Sequence, residues 1–494
     1  MRGNLTKYLK KLMARYGGNL NNFSKNEKDT ILEMKVSEMQ KLIKSKKITS
    51  EELTSIHIGQ IEKYDSKINS VCTFTPEIAL EISKNIDKNK DFDKPLSGIP
   101  ILIKDLNSTK GIRTTKGSKI YSDFIPDSDD LVVQNIKKSG AIILGKSNTP
   151  EFGAGSHTFN DVFGTTYNPY NTSKTAGGSS GGAGAALASR MVPIAQGSDM
   201  GGSLRNPAAW NNVVGFRNSL GRVPNYPNDI SYNNFSVNGP MARTVDDIGL
   251  LLSIMAGYDS RIPNSINEDP SKFVEINTPK TNNIKIAYTE DLGIYPVSRQ
   301  IKEGFSKTVK IFSDLGFNLE NTTPDLPNVD NVFQVFRAYS FAHSHKDHIK
   351  NNRNIMKDSL IWNVEKGLNL TSLEIANAES QRLIIDTNIS EFFDNYDFLI
   401  LPSTSVLPFN ADEEYVDNID GQKLETYIDW MGLCYAITVT GCPSISIPAG
   451  FSSDGLPMGI QIVGRKLDDL RILELAKLFE NETKFYKIKP NIIL

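Results

Sequence analysis

Residues 175–207 read TAGGSSGGAGAALASRMVPIAQGSDMGGSLRNP. Two glycine-bracketed serine clusters, at 177–182 and 201–203, flank a run patterned as a helix followed by a strand. Glycine fills no core and loses the most backbone entropy on ordering, so such clusters are not a packing solution. They belong where backbone bends sharply and lies bare against something small. Phosphate cradling and acyl transfer both use this arrangement.

The phosphate reading fails on its neighbours. A P-loop needs Lys and then Ser or Thr after its second glycine, and here Gly182 is followed by Ala183 and Gly184. A dinucleotide fingerprint wants an acidic residue about 20 positions on. Asp199 falls near that distance but belongs to the second cluster. Residues 178–182 also satisfy G-x-S-x-G, which would make Ser180 a nucleophile with Asp and His downstream. That pattern leaves residues 201–203 unexplained.

A third stretch decides the matter. Ile99-Pro100-Ile101-Leu102-Ile103-Lys104-Asp105 places a lysine at the end of an apolar, strand-like run. With GGSSGG at 177–182 and SDMGGSLRNPA at 198–208, the set resembles the amidase signature family of Ser-cisSer-Lys hydrolases. The interval from bridging serine to nucleophile, 203 − 179 = 24, is that family's. The likeness runs from about Val36 to Phe479 and is closest in look to free-standing bacterial amidases.

The resemblance implies an α/β fold: a single large domain with a mixed central β-sheet covered by helices on both faces. It makes Ser203 the nucleophile, Lys104 the base and Ser179, after a cis peptide bond, the bridge between them. Ser180 supports the site, and Asp199 with Arg205 buttresses the nucleophile loop. No cofactor is implied.

Those residue types suit amide chemistry on physical grounds. An amide carbonyl is a poor electrophile and an amine a poor leaving group. The site must supply an activated nucleophile, a proton shuttle and oxyanion donors. Two glycines before Ser203 let successive amides of Met200, Gly201 and Gly202 turn toward a developing O⁻. A lysine at its ordinary pKa of about 10.4 is no base at neutral pH. Burial disfavours the charged form, and the end of an apolar strand offers burial.

Composition sets the frame. Lysines and arginines number 55 against 57 acidic residues in 494, for a net charge of −2. That balance gives no electrostatic case for nucleic acid or an anionic membrane. Three cysteines, Cys72, Cys434 and Cys442, are too few for a disulfide framework and suit a reducing, cytoplasmic setting. No apolar run approaches the ~18 residues of a membrane span. The basic first 23 residues carry no signal-peptide pattern.

Taken in order, residues 1–29 are expected as an N-terminal extension and 30–494 as the amidase-signature domain. Helical spacing marks 30–47, and Thr49 to Glu52 offers a capping box for a helix through Tyr64. His57 inside that helix is a packing residue. Strands are expected over 95–104, 141–144, 285–288 and 398–402, with a helix over 131–139. Residues 150–175 form a loop-rich approach whose aromatics, Phe152, Phe159, Phe163 and Tyr167, either line a substrate funnel or pack in the core. Residues 260–283 form a surface excursion. A helical funnel region spans about 298–393. Its His343, His345 and His348 invite a metal reading, yet positions 343 and 345 diverge by roughly 200° on a helix, so no metal is expected.

Phe152, Gly153 and Met431 are the candidate substrate contacts. The expected substrate is a small-molecule amide, handled by a monomer or homodimer. The rival within the resemblance is the glutaminase subunit of a tRNA-dependent amidotransferase, which supplies ammonia to a partner. Those subunits carry an RRIxLG stretch, where Glu365 to Thr371 reads EKGLNLT. They also carry an acidic residue about twelve before the proline of the GxP turn. Counting back from Pro443 gives Met431, with Asp429 close by. A non-catalytic binding protein on the same fold would lack Lys104, Ser179 or Ser203, and all three are present.

Overall fold

The computed structural model describes residues 23–227, 230, 235–281 and 283–494. Residues 1–22 of the expected N-terminal segment therefore lie outside the described residues. The helix Lys25–Leu32 runs across the expected boundary at residue 30. A second helix, Val36–Lys44, follows after a break at residues 33–35, so the spacing expected to give one helix over 30–47 is shared by two. Thr49 and Glu52 form the capping box, and the helix behind them extends to Ile68. His57 is fully buried there, with Nδ1 3.1 Å from the Met191 carbonyl.

An 11-stranded sheet crosses the molecule. Its order is Val71–Phe74, Ile142–Ser147, Pro100–Lys104, Ile194–Asp199, Val237–Ala242, Val214–Arg217, Ser444–Phe451, Pro457–Val463, Phe398–Pro402, Lys285–Tyr288 and Asn318–Asn321. Pro100–Lys104 runs parallel to both its neighbours, as does Lys285–Tyr288. Most other pairings are antiparallel, so the sheet is mixed. The edge strand Asn318–Asn321, inside the expected helical region, escaped the sequence reading. It is mostly exposed and polar, without the apolar run that marks a buried strand.

Alternation along Pro100–Lys104 explains how a lysine enters the core. Ile101 and Ile103 join the apolar cluster formed with the helix Val245–Met255, while Leu102 joins the cluster around the helix Gly181–Ala188. With a period of two, Lys104 shares the face of Leu102 and points toward the serine clusters. Every residue of the helix Gly181–Ala188 is buried. It can lie so close because Gly182 has no Cβ: one there would stand 2.3 Å from the Asn148 amide.

The helical region folds as Arg299–Asp314, Val329–Asn352, Asp358–Leu368 and Ser372–Asn395. It packs over the second half of the sheet, where its Phe333 and Phe336 join Trp430 and Tyr435 in one apolar cluster with Leu399 and Leu401. Its long helix Val329–Asn352 brings side chains to the serine loop, which fixes the site's outer wall.

Candidate active site

Lys104 ends its strand with no exposed surface. Its Nζ lies 2.7 Å from Ser179 Oγ, 3.0 Å from Ser180 Oγ and 3.1 Å from Ser198 Oγ. The Gly178–Ser179 peptide bond is cis. Ser156 holds that turn from behind by donating its hydroxyl to the Gly178 carbonyl at 2.5 Å, and it accepts from Asn206 Nδ2 at 3.0 Å.

Ser203 follows the strand Ile194–Asp199 on the neighbouring loop. The Ser180 amide donates to the Ser203 carbonyl at 3.1 Å, which stitches the two glycine-rich turns together. Lys104, Ser179 and Ser180 are buried, whereas Ser203 is half-buried. Among the described residues no protein group hydrogen-bonds the Ser203 hydroxyl. A nucleophile needs this asymmetry, because the substrate must reach it while its base stays dry.

Asp199 anchors the loop. Both its oxygens meet Arg205, at 3.0 and 3.1 Å, and they also accept the amides of Gly202 at 2.9 Å and Leu204 at 3.0 Å. Arg217 Nη1 donates to the Asp199 carbonyl at 2.7 Å. Burial alone would raise the Asp199 carboxyl, but Arg205 and Arg217 pull it well below the usual carboxylate range. Arg205 is itself buried and donates to the Cys434 carbonyl, Thr438 and Gln461. This pair fixes the backbone that carries Ser203.

One expectation for the oxyanion donors changes. The Gly202 amide is occupied by Asp199, so it is not aimed at a substrate. The amides of Met200, Gly201 and Ser203 donate to no protein acceptor among the described residues. They form the donor set that this geometry offers. Gly201 and Gly202 are required here by close approach: a Cβ on Gly201 would stand 2.7 Å from Phe333 Cζ, and one on Gly202 2.7 Å from Cys434 Cβ.

Electrostatics completes the picture. Burial brings the Lys104 ammonium down to about 7, with the Asp199 carboxylate pulling the other way. The amine is therefore deprotonated in a large share of molecules near neutrality.

Gly153 lies beside the relay, since a Cβ there would be 3.4 Å from Ser179 Oγ. Phe152 packs against His345 and His348, at 4.4 and 5.2 Å between ring centroids. Those two histidines face each other with Nδ1 atoms 3.1 Å apart, while His343 is exposed on another side of the helix. Met431 is buried in the apolar cluster that includes Phe333, the ring that backs Gly201. Of the expected funnel aromatics, Phe163 lies under Arg113, and Phe159 lies under Lys357 against His157. Ser198 and Ser156 went unread. Ser198 directly precedes Asp199 in the second motif, which was the available signal, whereas nothing local marks Ser156.

With this geometry in hand, comparison with known proteins is direct. The amidase family model matches residues 52–473. The chain belongs to the amidase family. Its members hydrolyse amide C–N bonds. The chain is 30% identical over 490 residues to a glutamyl-tRNA(Gln) amidotransferase subunit of Dehalococcoides mccartyi, covering 94% of this chain and 99% of that one. An acylamidase of Rhodococcus erythropolis is also 30% identical, over 464 residues, covering 92% and 97%. Among solved structures, a bacterial aryl acylamidase of the amidase signature family superposes with a TM-score of 0.84 at 28% identity, covering 92% of this chain and 97% of the other. Among the described residues no helix is long and apolar enough to cross a membrane, and no cluster of three His, Cys, Asp or Glu is placed to hold a metal.

Proposed function

We propose that this amidase hydrolyses a small or medium carboxamide to a carboxylate and ammonia or amine, without a partner subunit. The observation that carries the reading is the dry amine of Lys104, 2.7 Å from Ser179, on a loop stitched to Ser203.

Neutral Lys104 accepts the proton of Ser179 as Ser179 accepts that of Ser203. The Ser203 oxygen attacks the amide carbon, and the carbonyl π pair moves onto oxygen, facing the amides of Met200, Gly201 and Ser203. The Lys104 ammonium returns its proton through Ser179 to the leaving nitrogen, and the C–N bond breaks. Water then attacks the acyl-enzyme by the same relay. The carboxylate leaves and Ser203 regains its proton.

The similarity to amidotransferase subunits favours a second reading, in which the chain is a glutaminase that supplies ammonia to a partner. Two features weigh for the free-standing hydrolase. The position where such subunits carry an acidic residue is Met431, which is buried among apolar groups. Its acidic neighbour Asp429 accepts the Glu425 and Thr426 amides and the Thr426 hydroxyl, so its carboxylate is already satisfied.

The test is turnover of glutamine, aliphatic amides and aryl amides by the purified chain and by Ser203→Ala. Wild type should hydrolyse the simple amides, and the variant should lose about 10⁴-fold or more with its fold intact. Undiminished turnover by Ser203→Ala would remove Ser203 as nucleophile. Turnover confined to glutamine, with none of the monoamide of glutaric acid, which lacks only its amino group, would transfer the assignment to the second reading.

A further inference from the structure

Along the inner face of the helix Val329–Asn352, positions 333, 337 and 341 recur at four-residue spacing and share one side. Phe333 backs Gly201 of the oxyanion turn. Phe341 belongs to the apolar cluster against which Phe152 and Met200 pack. Between them stands Arg337, one turn or about 6 Å along the helix axis from Phe333.

Arg337 is only 4% exposed, and among the described residues it forms no ion pair. Other buried arginines are matched: Arg190 with Glu33, Arg205 with Asp199 and Arg222 with Asp469. Arg243 donates instead to three backbone carbonyls. Arg337 meets only neutral side chains. It donates to Asn363 Oδ1 and, at 2.6 Å, to the Tyr427 hydroxyl, and its guanidinium lies over the rings of Phe341 and Tyr427.

Its partners do not supply the missing acceptor. Asn363 is 1% exposed, and its Nδ2 has no hydrogen-bond partner. The Tyr427 hydroxyl accepts from Arg337 and donates to no protein group among the described residues. A Cβ on Gly155 would stand 3.6 Å from Tyr427 Cε2, and one on Gly153, two residues earlier, 3.4 Å from Ser179 Oγ. A guanidinium, an amide NH₂ and a phenol thus converge with donors in excess and no anion among them. Leaving a buried charge unmatched costs several kcal/mol, and a ligand that supplies acceptors and negative charge would remove that cost.

We propose that Arg337, Tyr427 and Asn363 form a carboxylate subsite, so that the amide cleaved at Ser203 carries a carboxylate at its far end. This rests on the hydrolase reading and narrows its substrate class to ω-carboxylated amides. A planar guanidinium matches a carboxylate in paired N–H···O bonds, which a neutral amide cannot offer.

Two measurements test it, one of them independent of turnover. In calorimetric titration with succinate and glutarate, wild type should bind saturably and Arg337→Gln at least tenfold more weakly. Arg337→Lys should recover part of the loss. Equal binding by wild type and Arg337→Gln, or no binding by wild type, overturns the subsite. If Arg337→Gln does not fold, Tyr427→Phe and Asn363→Leu take its place, each expected to weaken binding severalfold, and an unchanged affinity in both overturns the proposal. In kinetics, the monoamides of succinic, glutaric and adipic acids are compared with the matching neutral amides. Their kcat/KM ratio should favour the acids by about 10²-fold or more in wild type and collapse in Arg337→Gln. A ratio near one in wild type contradicts the proposal. An inert chain that still binds the dicarboxylates through Arg337 would sink the hydrolase reading and keep the subsite.

Discussion

Lys104 and Lys146 lie on adjacent parallel strands, and both are fully buried. Lys146 pairs in register with Ile103, so the two lysines point to opposite faces of the sheet. Their surroundings differ in kind. Lys146 Nζ donates to the Asn107 carbonyl and, at 2.8 Å, to Thr109 Oγ1. Burial lowers it to about 8, with Asp105 foremost among several groups pulling upward. Lys104 meets three serine hydroxyls, and burial lowers it to about 7 against Asp199 alone. A carbonyl only accepts, and the Thr109 hydroxyl gives its own proton to the same Asn107 carbonyl, so neither partner of Lys146 hands a proton on. A hydroxyl accepts or donates and therefore serves either protonation state of Lys104. Burial makes a lysine's proton removable, and the partners decide whether it has a path.

The comparison can be broken by exchange. Lys104→Met should lower kcat/KM by about 10³–10⁴-fold, the upper part of the usual 10²–10⁴ scale for a general base, while Lys146→Met leaves it unchanged. A mild effect at 104 would take the lysine out of the mechanism. Ser179→Ala should cost about 10²–10³-fold, since it removes the bridge and leaves the base. Recovery of near wild-type rates in that variant would mean that Ser180 or Ser198 relays the proton equally well.

Stability should move the other way. Lys146→Met leaves a buried carbonyl and hydroxyl without their donor and should cost about 1–3 kcal/mol by denaturant unfolding. Lys104 releases its proton near pH 7 in the folded state and near 10.4 in the unfolded chain. The unfolded chain thus binds more protons between those values, and stability from this group rises with pH across that window. Below it, the folded state holds an unmatched buried charge. Lys104→Met should therefore raise stability at pH 6 by a smaller amount than Lys146→Met lowers it. A loss at pH 6 in both variants would erase the distinction.

Much of the site was legible because its residues fall within short motifs. Lys104 ends an apolar run, Ser179 and Ser203 sit among glycines, and Asp199 and Arg205 lie six positions apart on one loop. The strand and helix between the serine clusters also followed from local pattern. What escaped depends on contacts distant in sequence. Ser156 reaches Gly178 across 22 positions, and Arg337 meets Asn363 and Tyr427 across 26 and 90. The role of Gly202 was misread because only the folded loop shows Asp199 accepting its amide. The histidines at 345 and 348 likewise pair with Phe152 through tertiary packing, which spacing along one helix does not reveal.

The most direct test of the central claim is the pH dependence of kcat/KM for a neutral amide, whose own charge does not change. The free enzyme's base should set it: a tenfold rise per pH unit below about 7, then a plateau, with the same profile in Lys146→Met. A rate flat through neutrality, or one that rises only toward the ordinary lysine value of about 10.4, would contradict a neutral Lys104 as the base.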